Sequence, residues 1–391
     1  HAKSGQWWEN EGQRALANNS VAYKEKPQMG TFMREWVSLY ESKSGERGIF
    51  NRASAIKQAS KNGRRHTDYA FGCNPCSEII LRPYQFCNLS EVVARASDNM
   101  ESLRKKVRIA TILGTFQSTM TDFKYLRDIW KRNTQEERLL GVSLTGIMDN
   151  QILAGQSATY GMNISALLEE LKSVAVETNA IFAEQLGIEQ SAAITCVKPS
   201  GTVSQLVDSA SGIHARHNPY YIRTVRGDNK DPLTQFLIAQ GIPAEPDVMK
   251  PDSTTVFSFP MQSPSGAVTR TGMTAIEQLD LWLLYQRHWC EHKPSVTISV
   301  KEHEWMEVGS WVYENFDEVS GISFLPFSEH TYQQAPYQDI NKDKYTELFA
   351  RMPDTVDWSL LPEFEKEDNT SGGRELACSA GVCEVVDLTA A

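Results

Sequence analysis

Residues 71–93 read FGCNPCSEIILRPYQFCNLSEVV, and this stretch decides how the chain is to be understood. Two β-like runs, SEIIL (77–81) and FCNLSEVV (86–93), flank the turn-forming RPYQ. If the first run is extended from its start, Asn74, Cys76 and Glu78 alternate onto one face. That face offers an amide to hold a hydroxyl, a thiol, and a carboxylate to take a proton. Such a set suits acid/base and radical chemistry. Cys87 returns to the same place from the next extended segment, whereas Cys73 falls on the opposite face.

Working outward, an amphipathic segment runs from Met100 to about Arg132, with Leu103, Val107, Ala110, Leu113 and Phe116 stepping by three and four. A second helix is predicted over 165–186, with Ser165 as its N-cap and Gly187 as its stop. The apolar run AAITCV (192–197) reads as a buried strand, and KPSGTVSQLV (198–207) turns from it into a helix. Helices over 275–289 and 302–317 flank the strand SVTISV (295–300), and GISFLPF (321–327) is another strand. Alternating strands and helices predict an α/β architecture with mainly parallel strands. Residues 42–65 read as loops around a short helix. PEFEKEDNTSGGR (362–374) reads as a flexible tether, and a tail with two cysteines follows it.

The 391 residues carry 39 basic and 49 acidic side chains, a formal charge of −10, which disfavours a broad electrostatic grip on nucleic acid. No apolar run approaches the ~18 residues of a membrane span. Neither a signal segment nor a transit peptide opens the chain. A soluble, cytoplasmic protein without membrane partners is expected. The chain opens on His1 and AKSGQWWENEGQRALANNSVAY, which we read as a fragment or one product of a split gene. Its seven cysteines (73, 76, 87, 196, 290, 378, 383) are an odd count without a secretion signal, which argues against a disulfide scaffold.

Cys196 and Cys290 read as small buried hydrophobes. The Cys73-Asn74-Pro75-Cys76 pattern resembles the CxPC of thioredoxin-like oxidoreductases. That pair sits at a strand-to-helix turn, however, and here it leads into a strand. A zinc-binding interaction module would join Cys73 and Cys76 to Cys378 and Cys383, but no second CxxC at finger spacing supports it. The loop Pro199-Ser200-Gly201-Thr202-Val203-Ser204 offers helix-start N–H groups and small hydroxyls suited to phosphate oxygens, and Gly201 permits close backbone approach. An ordinary N-capped helix explains the same pattern. The loop is not a Walker A motif, which disfavours a nucleotide-hydrolysing motor. His214, His217, His288 and His292 read as structural or solvated, so no metal site is assigned. Arg216, Arg223 and Arg226 read as partners of acids or of nearby phosphate.

N-P-C-S-E followed after eleven positions by F-C-N-L resembles the large catalytic chain of ribonucleotide reductases. RALANNSV, SGERGIFNR (44–52), RLLGVSLTGIMD (138–149), KPSGTVSQL (198–206) and ACSAGVCE (377–384) extend the likeness over nearly the whole chain. The resemblance implies a ten-stranded α/β barrel of which residues 1–361 carry the later strands, a linker over 362–376 and a redox-active tail over 377–391. Cys76 matches the thiyl radical that removes the substrate's 3′ hydrogen, and Glu78 the carboxylate that takes the 3′-hydroxyl proton. Asn74 matches the amide that holds the sugar hydroxyls, and Cys87 one half of the reducing dithiol. Cys378 and Cys383 match the tail pair that restores that dithiol by exchange. The loop 199–204 matches the substrate-phosphate site. The second active-site thiol lies upstream in the family, and no cysteine here precedes Cys73. An N-terminal portion is therefore expected as a partner, carrying that thiol and the allosteric effector site.

PSGT, with Gly201 where the iron-dependent class commonly has glutamate, and SGIH (211–214) look like the adenosylcobalamin-dependent class. No adjacent tyrosine pair lies near the C-terminus; Tyr220-Tyr221 falls elsewhere. The resemblance implies adenosylcobalamin as cofactor, a ribonucleoside triphosphate as substrate and a thioredoxin- or glutaredoxin-like dithiol donor. An iron-dependent diphosphate reductase large chain is the alternative.

Overall fold

A computed structural model of the protein describes residues 20–42, 48–156, 163–327 and 333–366. Two compact units divide the chain. Among the described residues the first comprises 20–215 and 266–327, and the second 216–265 and 333–366. The first unit contributes strands β1 (Ser20–Tyr23), β2 (Gly48–Asn51), β3 (Gly72–Cys73), β4 (Ile80–Leu81), β5 (Asn88–Val93), β6 (Leu140–Thr145) and β7 (Thr195–Cys196). The second contributes β8 (Tyr220–Asp228), β9 (Ala244–Pro246) and β10 (Thr254–Gln262). The chain then adds β11 (Val296–Val300) and β12 (Ile322–Pro326) to the first unit and β13 (Tyr337–Asp339) to the second.

In the first unit β5, β6 and β7 pair parallel, as do β11 and β12. The parallel bridge Val197↔Pro294, with Ser295 N–H donating to Val197 O at 2.9 Å, joins β7 to β11. The far side of β12 meets β2 antiparallel at Ile322↔Ile49, and β2 pairs parallel with β1. The resulting wall is β1-β2-β12-β11-β7-β6-β5. All six residues of β6 are buried, as expected for a parallel strand covered on both faces. Leu140, Val142 and Leu144 share one apolar core with Ile194, Ile298, Val300, Ile322 and Phe324.

Helices cover this wall where sequence signals place them. Thr274 and Glu277 form a reciprocal cap on Ala275–His288, and Asn99 and Ser102 do the same for Met100–Gln117. Gly187, at φ 64°, ends Ile164–Leu186. The N-cap of that helix is Asn163, whose side chain accepts from Ser165 N–H at 3.0 Å, so Ser165 lies inside the helix. The long segment expected from Met100 to about Arg132 is two helices, Met100–Gln117 and Asp128–Glu137. Thr111 and Thr115 return their hydroxyls to carbonyls four residues back, and Ser118 caps the first helix end. Only Thr195–Cys196 of the AAITCV run is a strand.

The second unit departs from the parallel expectation. Its sheet, β13-β8-β10-β9, is wholly antiparallel, and β8 and β10 pair over nine residues each. Arg226 pairs with Asp247 at 2.7 Å, as the reading of these arginines anticipated. Helix Leu361–Phe364 occupies the start of the stretch read as a tether, and Phe364 packs edge-on against Phe236. Cys378, Cys383 and residues 367–391 lie outside the described residues. Among the described residues no helix is long and apolar enough to cross a membrane.

Candidate active site

The stretch 74–79 is a turn between β3 and β4 rather than an extended strand. Ser77 N–H donates to Asn74 O at 2.9 Å, and Ser77 takes φ 65°. The Asn-Pro pair at 74–75 favours this geometry, because proline fixes φ and lacks the N–H a strand needs. The alternation expected of Asn74, Cys76 and Glu78 is thus replaced by a tighter juxtaposition. Asn74 Nδ2 donates to Glu78 Oε1 at 2.6 Å, while Asn74 Oδ1 accepts from Ile79 N–H at 3.0 Å. Cys73 Sγ lies 3.4 Å from Ser77 Oγ.

Contacts from distant sequence seat this turn on the wall. Lys293 N–H donates to Glu78 O at 3.0 Å, and Ile80 N–H donates to His292 Nδ1 at 3.3 Å. His292 Nε2 then donates to Leu140 O at 2.9 Å, which fixes its tautomer and makes it structural. Ile79 packs where β6 has Gly141, at which a Cβ would come within 3.1 Å of Ile79 Cδ1. Gly321, at φ 77°, lies where a Cβ would be 3.0 Å from Ser77 O. Gly321→Ala is therefore expected to cost about 1–3 kcal/mol, from a left-handed backbone and a contact with the turn. Urea denaturation checks this, and an unchanged midpoint would contradict it.

Glu78 is 0% exposed, so its carboxylate must find partners within the protein. Oε1 receives Asn74 and the Lys198 ammonium, the latter at 3.4 Å. Oε2 has no hydrogen-bond partner among the described residues. Burial works against the Lys198 charge, yet the charges of Glu78 and Cys76 outweigh it and hold this lysine above its ordinary range. Lys198 stays one-third exposed, between the turn and the loop that follows it.

Cys87 lies just before β5, and Asn88 N–H donates to Leu139 O. Burial first, and then the Glu78 charge, push its thiol well above the usual range, with Arg65 and the Asn88 amide opposing. Cys87 is therefore a protonated thiol near neutral pH. Cys196 and Cys290 are buried in the core, as expected of small hydrophobes.

The loop 199–204 leads into Gly201–Leu206, a helix of six residues. Ser200 does not cap it: its φ and ψ are −91° and 24°, and its hydroxyl faces Glu91 rather than the helix start. Ser200 N–H donates instead to Ser211 Oγ at 2.8 Å. From β5, Glu91 faces this loop. Burial pushes its carboxyl up, while the Ser200 hydroxyl and the Lys198 ammonium pull it down. Lys198 thus stands between two carboxylates at the entrance to the loop.

The first unit therefore carries Asn74, Cys76 and Glu78 on one turn, and Lys198, just before the loop 199–204, reaches the Glu78 carboxylate, whose charge also acts on the Cys87 thiol. The sequence reading missed Lys198, whose only signal is a charge directly before the loop, and also Arg65 and Lys293. Of the histidines, His214 donates from Nδ1 to Ser211 O at 2.9 Å and accepts at Nε2 from Thr297 N–H at 3.0 Å, and His288 meets Glu169 at 3.1 Å.

Over most of its length the chain resembles the catalytic chain of ribonucleotide reductases. Its curated relatives are adenosylcobalamin-dependent ribonucleoside-triphosphate reductases. The one from Euglena gracilis is 29% identical over 294 residues, 74% of this chain and 39% of its own length. The one from Lacticaseibacillus paracasei is 27% identical over 407 residues, 95% of this chain and 53% of its own. A crystal structure of a B12-dependent (class II) ribonucleotide reductase superposes with a TM-score of 0.74 at 23% identity, over 92% of this chain and 53% of that one. The chain thus spans about half the length of the relatives it matches. No protein-family model matches it.

Proposed function

We propose that this chain is the C-terminal part of the catalytic chain of an adenosylcobalamin-dependent ribonucleoside-triphosphate reductase. It serves the reduction of ribonucleotides to 2′-deoxyribonucleotides for DNA synthesis. The observation that carries this reading is Glu78, a fully buried carboxylate on the same turn as Cys76, with one oxygen held by Asn74 and Lys198 and the other without a hydrogen-bond partner among the described residues.

In this reading the leftover oxygen of Glu78 takes the 3′-hydroxyl proton, and Asn74 orients the sugar hydroxyls. Cys76, as a thiyl, takes the 3′ hydrogen atom and returns it to the same carbon once the 2′ position is reduced. The 2′-hydroxyl leaves as water, and the two electrons come from the Cys87 thiol and a second thiol, which end as a disulfide. Protonated Cys87 holds the hydrogen this step consumes. The loop 199–204 receives the substrate's phosphates, with the Lys198 ammonium at its entrance. Cys378 and Cys383 return the disulfide to the dithiol, and a thioredoxin- or glutaredoxin-like donor restores them in turn.

The ten-stranded barrel also belongs to this proposal. Among the described residues β5 is hydrogen-bonded only to β6, so its other edge suits an upstream strand bearing the second thiol beside Cys87. Adenosylcobalamin brings its own corrin nitrogens to cobalt, so it asks this chain for a reachable thiol rather than a ligand set. Cys76, part-exposed on its turn, fits that demand. When bound, the cofactor supplies the radical that Cys76 carries.

The test joins the chain to its N-terminal portion and supplies a dithiol anaerobically. Deoxynucleotide formation from a ribonucleoside triphosphate that requires adenosylcobalamin is expected. Turnover that ignores cobalamin but appears with an iron-loaded radical subunit would overturn the cofactor and keep the chemistry.

A further inference from the structure

Lys293 is 0% exposed, an unusual place for a lysine. Its Nζ donates to Ser320 Oγ at 3.0 Å and sits 4.6 Å from the centre of the Phe50 ring. Ser320 is itself 0% exposed. No carboxylate among the described residues forms an ion pair with Lys293 within 4.0 Å. Its peptide N–H meanwhile holds Glu78 O at 3.0 Å, so the side chain starts at the base of the 74–79 turn.

A buried ammonium with a hydroxyl and an aromatic face as its close neighbours is costly. Core packing alone would be better served by an apolar side chain of the same length. The charge must therefore answer to something nearby, and the turn is what this corner of the core holds: Lys293 N–H meets Glu78 O at 3.0 Å, and Gly321, next to Ser320, lies against Ser77 O. Cys73 and Glu78 favour the ammonium, and burial opposes it strongly enough to lower its pKa to about 8. The remaining titratable neighbour is His292. Burial, then the positive charges of Arg65 and Lys293, hold it well below its usual range despite its bond to Leu140, so it stays neutral.

We propose that Lys293 is a positioning residue for the turn: its ammonium is the fixed positive charge beneath Cys73 and Glu78, on the side closed to solvent. The inference rests on the proposed reductase reading for its purpose. Lys198 also faces Glu78, but it is part-exposed and next to the phosphate loop, so an arriving substrate phosphate competes for it. Lys293 is the counter-charge that substrate cannot reach, and it keeps the Glu78 carboxylate in place while Lys198 is shared.

The test compares Lys293→Met, Lys293→Arg and Ser320→Ala with the unchanged protein, each joined to its N-terminal portion. The unchanged protein should lose turnover above about pH 8, as the ammonium gives up its proton. Lys293→Met should lower kcat at pH 7.5 about tenfold or more, leave KM within about twofold and remove that alkaline fall. Lys293→Arg should restore most of kcat, because the guanidinium stays charged across the range. Ser320→Ala, which keeps the lysine but removes its hydroxyl partner, should move the fall to lower pH. Unaltered kcat and pH profile in Lys293→Met would overturn the proposal.

A second readout needs no turnover: the rate of Cys73 alkylation by iodoacetamide in the chain alone. It should be about threefold slower or more in Lys293→Met at pH 7.5, and equal to the unchanged protein at pH 10. Equal rates at both pH values would overturn the role of Lys293. Absence of deoxynucleotide formation by the unchanged protein would instead overturn the reductase reading, and the alkylation result would still decide on Lys293.

Discussion

Cys76→Ala is expected to abolish deoxynucleotide formation, by at least about 10⁴-fold, while leaving the fold intact. A loss of that size corresponds to roughly 5 kcal/mol of transition-state stabilisation, the scale of a reaction that has lost its covalent or radical-bearing atom. The fold should not notice, because Cys76 is part-exposed on a turn that is set by Pro75, by the Ser77–Asn74 hydrogen bond and by Lys293 below. Substitutions away from buried networks usually fall within about ±0.5 kcal/mol. Turnover of the joined enzyme and the urea midpoint of the chain are the two readouts. Residual activity above a few per cent would show that the reaction does not pass through this sulfur.

Glu137→Ala is expected to have the largest effect on stability, a loss of about 3–5 kcal/mol, because it strands the buried Arg65 guanidinium and leaves Arg82 only the more exposed Glu136, at 2.7 Å. Arg65 reaches both carboxylate oxygens at 2.9 Å, and Arg82 reaches Oε1 at 3.0 Å. Gln85 Nε2 donates to Oε2 at 2.5 Å. Glu137, Arg65 and Arg82 are 2%, 6% and 5% exposed, so water cannot replace the lost partner. The network also has a local consequence. Arg82 and Gln85 lie in the turn between the Cys76 and Cys87 segments, and Arg65 Nη2 donates to Ile80 O at 2.8 Å. Loosening it should disturb both cysteines together. Chemical denaturation measures the effect, and a loss below about 1 kcal/mol would mean that the arginines find other partners.

The sequence announces much of this arrangement and hides the rest for identifiable reasons. Local signals locate the helices at 275–288 and 164–186, the second by the stop at Gly187, although its N-cap is Asn163 and not the Ser165 expected. The same local logic places β11 and β12. It fails at 74–78, where alternation suggested a strand. Asn-Pro is a turn signal, and the left-handed Ser77 closes a loop that no periodicity encodes. It fails again past Gln117, where apolar spacing continues into Ser-Thr-Met-Thr-Asp, a run rich in turn formers. The antiparallel second sheet was not read at all, since β8 and β10 gain their identity from pairing with each other.

Within the candidate site, Asn74, Cys76, Glu78 and Cys87 stand out in the sequence as unusual residue types at short spacings, and the family resemblance is what suggests their roles. Lys198 and Lys293 do not stand out. A lysine in sequence is most often a solvated charge, and the contacts that redefine these two are made only in the folded chain, by Glu78 for Lys198 and by Ser320 and Phe50 for Lys293. Buried counter-charges are a property of the folded chain.

The most direct test of the central claim is the kinetic isotope effect of a 3′-deuterated ribonucleoside triphosphate, measured with the joined enzyme, adenosylcobalamin and a dithiol. A primary effect on turnover is predicted, absent with a 2′-deuterated control, because Cys76 removes the 3′ hydrogen. Equal rates for the 3′-deuterated and unlabelled substrates under single-turnover conditions that isolate the chemical step would contradict it.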